Sequence, residues 1–280
     1  MIDSLIFYNQ AGKGDIHFSR GFCNYTQRLL KPTTCTYYHR FHPTSFQDIC
    51  QNAPLKDMPD PSDALVLDTW IGNAGKETIN QYAPNGITYD IHFEIHRRFV
   101  ADIFSFDIPS DPSIYFPRID YRQFEIEKIE KVKHLLNKKN VLIDNCEPRS
   151  NQSQHFCFSS IVNRIATDYP EVIFFVLNRH PDIQSFPNVF FVENIFDGPT
   201  NLNEFSYLSL FCDTIIGRTS GPYMHTVVAE NIQDKNKTFI CFCRTEIESS
   251  YIEKSQLKAN FIWKDTANIQ EIYEIIKSEL

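Results

Sequence analysis

Apolar residues fall in short runs that end at polar, glycine- or proline-marked turns, and between the runs lie stretches with helical spacing. In the first part of the chain, residues 4–8, 36–39 and 64–68 predict strands. Between the first two, Phe18, Phe22, Tyr25 and Leu29 recur at intervals of three to four, predicting a helix over 16–30 with Asp15 as its N-cap. Residues 45–52 read as a short helix and the proline-containing 53–62 as a loop. Residues 124–139 predict a charged helix in which Ile126, Ile129, Val132, Leu135 and Leu136 make one apolar stripe and the Glu and Lys residues the solvated face. The alternation then resumes. Residues 140–144, 172–177, 189–192, 214–216, 238–243 and 261–263 predict strands, with helices over 155–166, 203–212, from Gly221 onward, and 268–280.

Strands alternating with helices at this spacing predict α/β architecture with doubly wound parallel sheets. The expected organisation is two such domains, 1–122 and 140–280, joined by the helix 123–139 and facing each other across a cleft toward which both glycine turns point.

Composition narrows the chemistry. The 280 residues are 42% hydrophobic and 22% charged, those of a globular protein, and the net charge of −8 argues against a generic polyanion-binding surface or a nucleic-acid partner. Any phosphate chemistry must rest on a few local basic residues. The eight cysteines are scattered with no CxxC, and no secretory leader opens the sequence, so reduced thiols and a cytoplasmic location are expected. No apolar run approaches the ~20 residues of a membrane span, so at most peripheral association at the inner membrane face is expected. His92 and His96 have an i, i+4 spacing without the HExxH order, so they read as histidines of an amphipathic helix, and no metal site is expected.

Two turns carry candidate chemistry. The first strand ends in Gly12-Lys13-Gly14-Asp15, a strand–glycine turn–helix that is neither GxGxxG nor a Walker loop. Asp15 there is a carboxylate at the carboxyl end of a strand, where open α/β sheets place ligands. The second turn follows Thr214-Ile215-Ile216 and runs Gly217-Arg218-Thr219-Ser220-Gly221-Pro222, with Ser220 as N-cap and Pro222 in the first helical turn. Such a helix start presents free N–H groups and the positive end of the helix dipole, which suits a phosphate; Arg218 and His225 would add contacts. The bland alternative is an ordinary corner of an α/β domain. Trp70, beside polar groups at a strand end, reads equally as a stacking platform for a sugar or base and as a lid on the core rim.

Taken together, Gly12-Lys13-Gly14-Asp15 and the stretch from Leu208 to His225 resemble the two motifs of bacterial heptosyltransferase-type enzymes: an early GxGD turn and a later G-N-D-S/T-G-P-M-H turn. This chain departs by Arg218 and Thr219 in place of Asn-Asp and by Tyr223 inserted before Met224-His225. The resemblance implies a GT-B glycosyltransferase of two Rossmann-like domains, working in glycan biosynthesis of the lipopolysaccharide kind. It implies inverting, metal-independent transfer from a nucleotide-sugar co-substrate, with no further cofactor, to a glycan or lipid-linked glycan. Asp15 would be the general base, with His17 beside it. Arg149, Arg218, Thr219, Ser220, Gly221, Pro222 and His225 would hold the donor's diphosphate. Gly12, Lys13, Gly14, Arg20 and Trp70 would stand on the acceptor side. Two alternatives stay open: a nucleotide-sugar epimerase or hydrolase on the same fold, and a scaffold that binds without turnover.

Overall fold

The computed structural model describes residues 3–59, 64–70, 116–148, 153, 155–198, 201–244 and 257–280. The His92–His96 spacing and Arg149 lie outside them. The chain divides into two compact units, the first carried by described residues up to Gln123 and the second by those from Phe124 onward.

The first unit is a parallel sheet of four strands, β1 (Ser4–Asn9), β2 (Thr34–His39), β3 (Gln51–Pro54) and β4 (Leu65–Asp68), in the order β3-β2-β1-β4. Helix α1 (Lys13–Leu30) connects β1 to β2. Leu5, Phe7 and Leu67 are buried, as are Phe22 of α1 and Tyr37 of β2, and the Phe7 ring meets Phe22 and Tyr37 at centroid distances of 6.1 and 6.0 Å. Strand β3 replaces the helix expected over 45–52; only a 3₁₀ turn, Pro43–Phe46, precedes it. An edge strand needs one partner and no apolar run, so pairing with β2, absent from local pattern, decides it. The Asn52 amide completes the edge, donating to the Phe46 carbonyl at 2.9 Å and accepting from His39 Nε2 at 2.6 Å.

The second unit is a parallel sheet of six: β5 (Asn140–Ile143), β6 (Ile173–Val176), β7 (Val189–Phe191), β8 (Thr214–Arg218), β9 (Thr238–Phe242) and β10 (Asn260–Lys264), in the order β10-β9-β8-β5-β6-β7. Its helices are α2 (Ser159–Asp168), α3 (Val192–Ile195), α4 (Leu202–Ser209), α5 (Gly221–His225), α6 (Ala229–Ile232) and α7 (Ile269–Lys277). Alternate residues of the strands, Val141 and Ile143, Phe174 and Val176, Ile240 and Phe242, pack in one core cluster with Ile161, Val162 and Ile165 of α2 and Ile272 and Ile276 of α7. In both units the strand order reverses beside the first strand, between β1 and β4 and between β5 and β8. In open parallel sheets the crevice outside such a reversal is where ligands bind.

The charged segment before β5 differs from the expected α-helix. Ile126–Leu135 is a 3₁₀ helix, and its buried residues are Ile129, Val132 and Leu135. Apolar residues three apart, from Ile126 through Leu135, match three residues per turn better than 3.6. Lys128 donates to the Phe196 carbonyl at 3.1 Å and Lys131 pairs with Asp197 at 2.5 Å, which ties the segment into the second unit. Among the described residues no helix is long and apolar enough to cross a membrane.

Candidate functional site

Three strand exits are turned by the same local device. Asn9 Oδ1 accepts the Ala11 N–H at 2.8 Å, Asp68 Oδ1 the Trp70 N–H at 2.8 Å, and Asp144 Oδ1 the Cys146 N–H at 2.9 Å. A side chain that bonds its own backbone two residues on ends a strand sharply at the carboxyl edge of its sheet. In the first unit the exits of β1 and β4 are also tied to each other, because Asn9 Nδ2 donates to Thr69 Oγ1 at 3.0 Å.

Between these exits stands Asp15. Gly12, not Asp15, is the N-cap of α1; Asp15 is the third helical residue, and its Oδ2 accepts the Gly12 N–H at 2.9 Å. A Cβ on Gly12 would lie 3.0 Å from that same oxygen, so glycine lets the carboxylate close on the turn. The Trp70 indole N–H reaches the carboxyl and Arg40 adds positive charge, both favouring ionisation, yet burial dominates and raises the Asp15 pKa above the ordinary carboxylate range. Lys13 and Arg40 flank the same ring, with the ammonium 5.5 Å and the guanidinium 5.3 Å from the Phe41 centroid. Lys13, Asp15 and Trp70 are thus brought together, with Gly12 and Gly14 shaping the turn. Trp70 is half-buried with its N–H directed at Asp15.

His17 and Arg20 go elsewhere. Both are fully buried, Arg20 donates to His17 Nδ1 at 2.7 Å, and its guanidinium makes two bonds to Asp48 at 2.9 and 3.0 Å beneath Phe46. A guanidinium committed in this way is a core ion pair, which corrects the expectation that Arg20 serves an acceptor and His17 assists Asp15.

The second turn is likewise corrected. Arg218 is fully buried and points back into its own unit. It donates to the carbonyls of Phe156, at 2.7 Å, and of Cys146, lies 3.5 Å from Glu147, and stacks against Phe156 and Phe158. It braces the loop after β5 rather than facing a ligand. Thr219 is buried with its N–H on Ser153 Oγ at 3.1 Å. His225, also buried, donates from Nδ1 to the Gly221 carbonyl at 2.8 Å. Ser220 is the N-cap as expected, but its hydroxyl donates to Oδ2 of Asp144, which also accepts the Tyr223 N–H at 3.0 Å. A buried carboxylate of the chain itself therefore takes the Tyr223 N–H in the first turn of α5, a helix of only five residues. Burial raises the Asp144 pKa, with the Ser220 bond opposing. Gly221 and Pro222 stay partly exposed, and Pro222 borders a recess of about 850 Å³ lined also by Cys146, Asn178, Glu193, Asn194 and Asp197.

Sequence reading missed Asp144, Arg40 and these recess residues. Asp144 had a usable signal: it ends an apolar strand as Asp68 does, and a carboxylate there turns the exit. Strand order within the first sheet brings Arg40 near Asp15, and strand order within the second sheet separately brings the recess residues to one another.

No protein-family model matches the sequence, and no curated protein matches it. Solved structures match nearly its whole length. E. coli heptosyltransferase WaaC with ADP-2-deoxy-2-fluoro heptose has a TM-score of 0.56 at 8% identity, covering 99% of this chain and 100% of that one. E. coli ADP-heptose LPS heptosyltransferase II has a TM-score of 0.55 at 10% identity, covering 99% and 98%. The fold is therefore the α/β fold of these glycosyltransferases, as the two glycine turns led us to expect; at such identity the likeness is one of fold.

Proposed function

We propose that the chain is a glycosyltransferase moving a sugar from a nucleotide-activated donor to a hydroxyl acceptor by direct, inverting displacement, with Asp15 as general base. The supporting observation is Asp15 itself: a carboxylate at the reversal of the first sheet, held by Gly12 and Trp70 and made more basic by burial. Its free electron pair takes the acceptor hydroxyl proton as that oxygen bonds to the anomeric carbon, and the nucleoside diphosphate departs with the electron pair of the broken bond. The donor is a co-substrate, and a glycan or lipid-linked glycan is the acceptor class. Lys13 and Arg40 flank the acceptor side. The test is a donor and acceptor screen with wild type and Asp15→Asn. Turnover by wild type that falls at least about a hundredfold in the variant supports the reading; turnover that survives the substitution overturns it.

A second reading, a non-catalytic scaffold on the same fold, is favoured by the inward Arg218 and by the Asp144 carboxylate at the start of α5. Absence of turnover across the screen, with a bound ligand in hand, would select it.

A further inference from the structure

Two of the eight cysteines meet across a strand pair. In the ladder between β2 and β3, Thr36 is the partner of Gln51, so Cys35 and Cys50, one step back on each side, also stand opposite each other. Neighbouring strands run ~4.8 Å apart, inside the roughly 4.4–6.8 Å between α-carbons that a disulfide spans. Side chains alternate along a strand, and Tyr37, two residues beyond Cys35, turns to α1, where its hydroxyl lies 3.0 Å from Ser19 Oγ. The two thiols meet on that face: contact with Cys35, ahead of burial, raises the Cys50 pKa. Cys23 of α1 is the third thiol nearby, but it is fully buried.

Access separates this pair from the other cysteines. Cys35 and Cys50 are half-buried where β2 meets the edge strand of its sheet. Cys212, Cys241 and Cys243 are buried. Cys146 and Cys157 turn to other groups, the Asn178 amide at 2.9 Å and Ser159 Oγ at 3.2 Å.

We propose that Cys35 and Cys50 form a redox-sensitive dithiol, which low-molecular-weight disulfides of the glutathione class oxidise to a cross-strand disulfide. One cysteine thiolate attacks a sulfur of the oxidant, whose S–S bond breaks as a glutathione thiolate leaves. The second cysteine gives up its proton and attacks the sulfur of the first, expelling the other glutathione thiolate. The pair loses two electrons and two protons, and the oxidant becomes two molecules of glutathione. The new bond encloses residues 36–49, which carry Arg40 and Asp48, and fixes the edge strand covalently to β2. Nothing in this chemistry depends on sugar transfer or on Asp15.

The test equilibrates the full chain in glutathione buffers of rising disulfide content, quenches with acid, alkylates, and maps the peptides by mass spectrometry. The expected product is one intramolecular link, Cys35 to Cys50, with two of the eight thiols lost and full reversal by dithiothreitol. Cys35→Ser and Cys50→Ser each abolish the link and leave the remaining cysteine as a glutathione mixed disulfide. That adduct needs a glutathione disulfide content at least about tenfold higher, because no neighbouring thiol acts at high effective concentration. Phenylarsine oxide, which bridges two adjacent thiols, reads the reduced pair without oxidation. It is expected to protect Cys35 and Cys50 together from alkylation in wild type, and neither remaining cysteine in the serine variants. No link under excess glutathione disulfide, a link from either cysteine to a different one, or failure of arsenical protection in wild type would overturn the proposal. So would two separate mixed disulfides at these positions in wild type.

Discussion

The backbone N–H of Tyr223 donates to Oδ2 of Asp144 at 3.0 Å, across 79 positions of sequence. Through that bond a strand-end carboxylate of β5 serves the start of α5. The Tyr223 ring meanwhile packs over Gly217, and a Cβ at that glycine would stand 2.5 Å from Tyr223 Cδ2 and 3.2 Å from Asp144 Cβ. In this chain, therefore, Tyr223 and Asp144 leave no room for a side chain at position 217 inside β8.

Asp144→Ala should destabilise the protein by about 2–4 kcal/mol in urea unfolding. It removes the one carboxylate that accepts from the half-buried Cys146 N–H and Ser220 hydroxyl and from the buried Tyr223 N–H.

The same carboxylate sets a pH dependence. Burial raises the pKa of Asp144, and of Asp15, above the unfolded value near ~3.9, so the folded chain binds their protons more tightly than the unfolded chain does. Their contribution to stability is fully present below the unfolded value and is lost as pH rises through the raised folded values. The difference in unfolding free energy between wild type and Asp144→Asn should therefore shift against wild type as pH increases across that window. A difference that stays flat with pH would refute this.

Gly217→Ala should cost about 1–3 kcal/mol, because the added methyl meets a fully buried ring. The penalty should shrink when Tyr223 is replaced by Leu, and a double-mutant cycle in urea measures that coupling.

Arg20→Ala should cost about 3–5 kcal/mol by leaving the Asp48 carboxylate, only 1% exposed, without its partner. Arg20→Lys should recover only part of this, since an ammonium cannot make the two parallel bonds. If Arg20 instead served a substrate, the substitution would raise KM and leave the melting temperature unchanged.

For the proposed transfer reaction, the acidic limb of the kcat/KM profile should fall above the ordinary carboxylate range, since burial holds Asp15 protonated to higher pH. Trp70→Phe removes an N–H that favours the ionised form and should move that limb further up.

Sequence by itself determined the parts whose causes are local. Apolar runs marked nine of the ten described strands, the 3.6-residue spacing marked α1, and the glycines announced both turns. The charged segment was legible as a helix with one apolar stripe, but its 3₁₀ form over Ile126–Leu135 was not read from the sequence. Only the tertiary structure decided which way the charged groups face. Arg20 finds Asp48 at 28 positions' distance, Arg218 finds the Phe156 carbonyl at 62, and Asp144 finds Tyr223 at 79. Strand β3 exists because β2 offers it a ladder. A one-dimensional pattern records how often burial recurs, whereas a buried charge is placed by whichever partner the sheet order brings within about 3 Å, and that partner leaves no periodic trace.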